Sequence, residues 1–168
     1  MPNSRTLILN NQQIEQKINR IAYEIYENHF KEKSLLIVGI EKKGLVLAEK
    51  IKQKLEEISP LQLELTGIKI NKESPLTDSI DFRFDSKKLK NKTVVLIDDV
   101  LNSGKTLIYA TKYILDFPVK SISTVVLVNR RHRLFPIRAD FVGLTLSTTI
   151  QEHISVEFTK GKSAVYLQ

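Results

Sequence analysis

Apolar residues along this chain follow two rhythms. Runs such as Leu35-Leu36-Ile37-Val38, Val94-Val95-Leu96-Ile97 and Val125-Val126-Leu127-Val128 are continuous and mostly β-branched, the pattern of strands buried on both faces. Between them the apolar positions recur at helical spacing. Ile14, Ile18, Ile21, Ala22 and Ile25 mark one face of a helix that Asn10 or Asn11 can cap and that runs to about Phe30. Leu45, Ala48, Ile51 and Leu55 predict a second helix, and a third runs from Leu107 to about Asp116, where Pro118 stops it. Thr6–Leu9, Leu61–Leu65 with an extension toward Ile70, Phe141–Leu144, Ile154–Phe158 and Ala164–Leu167 read as further strands. Residues 71–90 keep no period, and a polar stretch of that length in a compact domain is expected to be a lid or disordered.

Strands alternating with helices predict an α/β fold: a mostly parallel sheet covered on both faces. Ligands in such folds sit beyond the carboxyl ends of the strands. Three loops fall there: Gly39–Gly44, Asp98–Thr106 and Asn129–Arg133.

Composition narrows the partners only a little. The chain has 168 residues, the length of one domain with a sizeable core, and 42% of them are hydrophobic. It has no cysteine, so disulfide scaffolds and thiolate metal sites are excluded. No apolar run approaches membrane length, and a cytoplasmic protein is expected. The net charge of +7 favours anionic ligands, from phosphorylated metabolites to nucleic acid.

The most informative stretch is Val94–Thr106. A buried strand closes on Asp98-Asp99, and Val100-Leu101-Asn102-Ser103-Gly104-Lys105-Thr106 opens a helix. A helix N-terminus offers backbone N–H groups and a positive dipole end to a phosphate. Carboxylates just upstream would repel that phosphate but accept hydrogen bonds from hydroxyls. The combination suits a phosphorylated sugar. It is not an ATP-binding P-loop: the first glycine of G-x-x-x-x-G-K-[ST] would fall at Asp99. Ile40-Glu41-Lys42-Lys43-Gly44 is a second glycine-bracketed loop with positive charge, fit for an anion. His132 lies in a basic run and reads as a solvated histidine, while His29 and His153 have no partner at ligand spacing.

Val94–Thr106 resembles the phosphoribosyl-pyrophosphate (PRPP) motif of type I phosphoribosyltransferases. The resemblance runs nearly end to end with one branch, the pyrimidine-operon regulators that are also uracil phosphoribosyltransferases. Arg20–Ile25, Val38–Gly44 and Leu127–Gly143, including Asn129-Arg130, His132-Arg133 and Pro136-Ile137-Arg138-Ala139-Asp140-Phe141-Val142-Gly143, carry it in the right order.

The resemblance implies one phosphoribosyltransferase domain over residues 1–168. Its fold would be a twisted, mostly parallel sheet with helices on both faces, under a small hood from segments near both termini. Asp98 and Asp99 would hold the ribose hydroxyls of PRPP, and Val100–Thr106 its 5-phosphate, with the Ser103 and Thr106 hydroxyls contributing. Ile40–Gly44 would take the pyrophosphate, Lys43 standing where Arg is common in this branch. Asn129, where the branch usually has Asp, Phe141 by stacking and Val142 through its backbone would bind the base. Mg²⁺ would arrive mainly on PRPP oxygens, with no dedicated protein site. Asn102 replaces the Asp usual in purine-specific members and cannot act as a general base, which favours a pyrimidine, uracil first.

The same resemblance places Arg20, His132 and Arg138 on an RNA-binding face and implies a homodimer or larger assembly. Tyr23, Asn28 and Leu144 replace polar or basic residues of that face. Ile68–Glu73 does not match the Tyr-Arg-Asp-Asp of the family's flexible loop. An alternative to catalysis therefore stands beside it: a nucleotide-sensing RNA-binding regulator with weak or no turnover.

Overall fold

A computed structural model describes residues 4–168. Its main sheet has six strands in the order β4-β3-β2-β5-β6-β7: β2 (Ser34–Ile40), β3 (Gln62–Lys69), β4 (Asp81–Phe82), β5 (Thr93–Leu101), β6 (Ser121–Asn129) and β7 (Phe141–Thr145). All neighbours are parallel except β3 and β4. A second, antiparallel sheet joins both ends of the chain: β1 (Thr6–Leu9), β9 (Ala164–Leu167) and β8 (Ile154–Glu157), in the order β1-β9-β8.

Two helices, α1 (Asn11–His29) and α2 (Lys43–Ile58), cover one face of the main sheet. Their buried stripes (Ile14, Ile18, Ile21, Ile25; Leu47, Ala48, Ile51, Leu55) pack on Leu35, Ile37, Val95, Ile97, Val125 and Leu127. The helix α3 (Lys105–Leu115) covers the other face with Leu107, Ala110 and Ile114, against Leu36, Val38, Leu96 and Val126. Alternate residues of each central strand thus enter opposite cores, the reason those runs are apolar without interruption.

Of the two asparagines ahead of α1, Asn10 is the cap. Its side chain accepts from Gln13 N at 2.9 Å, and the Gln13 side chain accepts from Asn10 N at 2.9 Å. Residues 71–90 are ordered, not a featureless loop. Asn71 Oδ1 accepts from the Glu73 and Ser74 amides at 2.9 and 3.2 Å, and a short 3₁₀ turn (Ser86–Leu89) buries Leu89. Ile80, Phe82 and Phe84 pack on the α3 core, with Phe82 edge-on to Tyr113 at 5.8 Å. Among the described residues no helix is long and apolar enough to cross a membrane.

Candidate active site

Parallel pairing carries β5 past its apolar run: Asp98, Val100 and Leu101 are in register with Val126, Val128 and Asn129. Backbone pairing thus holds the two carboxylates at the strand's end, and both are buried, Asp98 4% and Asp99 8% exposed. Asp98 Oδ1 accepts from the Asp99 amide at 2.9 Å. Burial, then the neighbouring Asp99 charge, push the Asp98 carboxyl well above the usual carboxylate range; Lys72 pulls the other way.

The acid pair is packed against the start of α2. A Cβ on Gly44 would stand 2.7 Å from Ile97 O and 3.2 Å from Asp98 Oδ1, so only glycine lets the helix come this close. Lys43 and Gly44 lie inside α2 rather than before it, and Lys42 caps it without a side-chain hydrogen bond. The Glu41–Lys42 peptide is cis. Glu41 is the one acid of this loop, and Arg83 Nη1 holds its carboxylate at 3.1 Å.

After β5 the chain turns through Asn102 and Ser103 to Gly104, whose φ of 86° lies in the left-handed region and which begins α3 with no side-chain cap. The turn is braced from outside. Ser103 O accepts from the Leu134 and Phe135 amides at 2.8 and 3.1 Å, and Ser103 Oγ from Lys105 N at 3.2 Å. Lys105 Nζ donates to Glu73 O at 3.1 Å, tying the 71–80 segment to α3. Thr106 is half-buried in the first turn.

One cavity of about 340 Å³ gathers much of this. It is lined by Glu41, Lys42, Lys43, Lys72, Asp99, Val100, Asn102 and Ile154. Two loops at strand ends, the segment after β3 and the first residue of β8 therefore face a common space. Lys72 and Ile154 were not singled out in the sequence: Lys72 lies in the unmatched stretch, and Ile154 reads as an ordinary strand residue. Among the described residues no three carboxylate or imidazole groups converge as a metal site.

The residues expected to bind the base are placed elsewhere. Phe141 is 7% exposed in the core on the α1 face, paired with Val125 and so level with Ile97, short of the acid pair. The Val142 carbonyl accepts from Arg20 Nη2 at 3.0 Å, and Gly143 O also accepts from that nitrogen. Asn129 Oδ1 accepts from Arg131 N at 3.1 Å and lines a different cavity. A motif position gives a residue's place in the chain but not the face its side chain takes, and here β7 turns Phe141 into the core.

That other cavity, of about 490 Å³, is lined by Asn129, Arg131, Arg133, Arg138, Ala139 and Thr145. Of the three residues expected on a nucleic-acid face, Arg138 is exposed there, whereas Arg20 is engaged with β7 and Glu24. His132 Nε2 lies 2.5 Å from Thr148 O; a carbonyl only accepts, so the ring nitrogen carries the proton.

The phosphoribosyl transferase domain family matches residues 4–159. The chain is 33% identical to the bifunctional protein PyrR of Haemophilus ducreyi, covering 96% of this chain and 95% of that protein. It is 36% identical to the bifunctional protein PyrR of Leuconostoc mesenteroides, covering 98% of both chains. Among solved structures, a hypoxanthine phosphoribosyltransferase of Trypanosoma cruzi superposes with a TM-score of 0.75 at 16% identity, over 89% of this chain and 84% of that one. One from Staphylococcus aureus gives 0.71 at 20% identity, over 84% and 77%. A paired-carboxylate strand end, an uncapped helix start after it and a near end-to-end match to these relatives converge: the chain belongs to the phosphoribosyltransferase family, in the branch of the bifunctional PyrR proteins.

Proposed function

We propose that this cleft transfers the ribose 5-phosphate of PRPP to a nucleobase, uracil first, with release of pyrophosphate. The observation that carries the reading is the shared cavity: Asp99 of the buried acid pair, the start of α2, Lys72 and Asn102 meet in one space of a size to hold a phosphorylated sugar, with Asp98 buried directly behind Asp99. Asp98 and Asp99 accept hydrogen bonds from the ribose hydroxyls. The 101–106 turn receives the 5-phosphate on backbone N–H groups of an uncapped helix start, with Ser103 and Thr106 beside it. Lys42, Lys43 and Lys72 face the pyrophosphate, while Arg83 keeps the Glu41 charge from opposing it.

The base lies between Val100 and Ile154, in place of the Phe141 and Val142 expected from the motif. In the reaction the base nitrogen forms its bond to the anomeric carbon as the bond to the pyrophosphate oxygen breaks. The electron pair leaves with pyrophosphate, and the proton of the base nitrogen is released. The anomeric carbon gains oxocarbenium character on the way, so positioning, fixed charge and exclusion of water do the catalysis. Asp98 and Asp99 are the carboxylates here that would hold a Mg²⁺ ion arriving with PRPP, and the ion would supply charge neutralisation of the leaving group. The antiparallel β1-β9-β8 sheet forms a hood whose Ile154 closes the base end, and residues 1–168 act as one catalytic domain.

The decisive measurement is pyrophosphate release dependent on PRPP, Mg²⁺ and base. Asp98→Asn with Asp99→Asn abolishes it while circular dichroism stays native; unchanged turnover overturns the assignment. A second reading draws on the arginine-lined cavity near Asn129: a regulator that binds RNA and senses nucleotide, as a homodimer or larger assembly. Titration with pyrimidine-leader RNA, with and without UMP, tests it. Binding should weaken with salt in proportion to the phosphates contacted, and no binding at low salt rejects it.

A further inference from the structure

Arg130 follows Asn129 at the end of β6 and is 7% exposed. Its guanidinium is used almost fully on neutral oxygens. Nε donates to Thr148 Oγ1 at 2.9 Å and Nη1 to Asn102 Oδ1 at 3.1 Å, while Nη2 donates to the carbonyls of Thr149 and Glu152 at 3.1 and 2.5 Å. Its own amide donates to Leu101 O at 3.0 Å. One buried side chain therefore joins the turn after β5 to the 148–152 turn that leads into β8. His132 adds a second tie to Thr148 O. The Glu152 carboxylate accepts from the Thr149 amide at 2.6 Å; that bond, with Arg130 nearby, holds its pKa below the usual value.

The contact with Asn102 has a chemical consequence. A guanidinium has only donors, so the Asn102 carboxamide must meet it with Oδ1. Its Nδ2, with two N–H groups, then points away from Arg130. Among the described residues no protein acceptor takes it up, and Asn102 lines the cleft beside Val100 and Ile154. A carboxamide free to turn would offer either a donor or an acceptor. This one offers a donor.

We propose that Arg130 is a positioning residue that presents Asn102 as a hydrogen-bond donor to the nucleobase, so that the cleft selects a base with a ring carbonyl at that edge and disfavours one with an amino group there. The proposal rests on the reading of the cleft as the PRPP and base site. A 2,4-dioxopyrimidine carries carbonyls on both sides of its N3–H. Replacing one oxygen by an amino group sets donor against donor and leaves the Asn102 amide unpaired. Since Asn102 is held by Arg130 and Arg130 by the 148–152 turn, the donor is set before the base arrives, which spares the cost of ordering it on binding.

The test uses product nucleotides, so it does not depend on turnover. Titration calorimetry measures the affinities of the monophosphates of uridine, cytidine (amino at C4) and isocytidine (amino at C2) for the wild-type chain. The uridine nucleotide should bind about 10- to 100-fold tighter than at least one of the other two. Asn102→Asp keeps an acceptor toward Arg130 but puts a carboxylate oxygen toward the base, and should narrow or invert that ratio by about the same factor. In an Arg130→Lys background, where the two-point hold on Asn102 and the turn is lost, Asn102→Asp should move the ratio less than about threefold, because the amide is already free to rotate. Thermal unfolding confirms that each variant is folded; Asn102 is exposed, so its variants keep this control available even if Arg130→Lys is unstable. Ratios unmoved by Asn102→Asp overturn the specificity role, and an equal shift in both backgrounds overturns the positioning role of Arg130. A wild-type chain that binds neither PRPP nor any of the three nucleotides overturns the underlying reading of the cleft instead.

Discussion

Asp98 shows in one residue how the site opposes the fold. It follows directly on the fully buried apolar run Val94–Ile97, and it is itself 4% exposed with Asp99 next in the chain. Burial first, and the Asp99 charge second, raise its pKa well above the usual range. A carboxyl whose pKa is raised by folding contributes stability that is fully present below its unfolded value, about 4, and lost as pH rises through the raised folded value. Above that range folding must either bury the charge or take up a proton, a cost that Asp98→Asn removes, while the Asn oxygen can still accept from the Asp99 amide. The variant is expected to melt higher than wild type at pH 7–8, by about 2–4 °C for each kcal/mol relieved, and the difference should close as pH falls toward 4. Calorimetric scans across that range check it; a difference that is constant or widens in acid contradicts the burial argument. The same variant should lose PRPP turnover, so stability and activity move in opposite directions.

Elements whose side chains show a clear apolar pattern were readable from the chain, whereas the end of β5 and the two-residue β4, held by backbone pairing, were not. The Ile14–Ile25 stripe of α1 and the apolar runs of β2, β5 and β6 are repeated faithfully in the two cores. The extension of β5 through Asp98–Leu101 was hidden because its evidence is the ladder to Val126–Asn129, not side-chain character. Within residues 71–90, Ile80, Phe82 and Phe84 alternate in a period of two, a signal masked by the charged residues around them. The positions of the acid pair and of the 40–44 and 101–106 loops could be located because strand ends and glycine turns are local signals. Lys72, Ile154 and Arg130 were not, since their roles come from contacts across the chain. The start of α2 gives this scale its prediction. Gly44→Ala forces a methyl to within 2.7 Å of Ile97 O, and overpacking of this kind costs about 1–3 kcal/mol. It should lower the melting temperature and raise the KM for PRPP by pushing Lys42 and Lys43 off the acid pair. Gly161→Ala is the control: nothing lies within 4 Å of the new methyl, so it should cost about 1–2 kcal/mol from the strain of its φ of 72° alone and leave KM unchanged.

At the scale of the whole molecule, the cleft is where two separately built layers meet. Lys42, Lys43, Asp99 and Asn102 come from the six-stranded sheet, its loops and the start of α2, and Ile154 from the β1-β9-β8 sheet that closes both ends of the chain on each other. A ligand spanning the cavity therefore bridges both layers, and its binding energy should stabilise the chain as one unit. At a free PRPP·Mg²⁺ concentration about 100 times its Kd, linkage predicts about 2.7 kcal/mol, or about 5–10 °C for a chain of this size, in a single transition. Lys42, Lys43 and Lys72, proposed to face the pyrophosphate, predict a salt dependence on a chain of net charge +7. Raising ionic strength from about 0.05 to 0.5 M shortens the screening length severalfold and should shrink the PRPP shift at fixed ligand. UMP has no pyrophosphate to meet Lys42, Lys43 and Lys72, so its shift should fall less. Scanning calorimetry with each ligand at both salt concentrations checks all three statements. Two resolved transitions would separate the layers, and equal salt sensitivity of PRPP and UMP would remove the lysines from pyrophosphate binding.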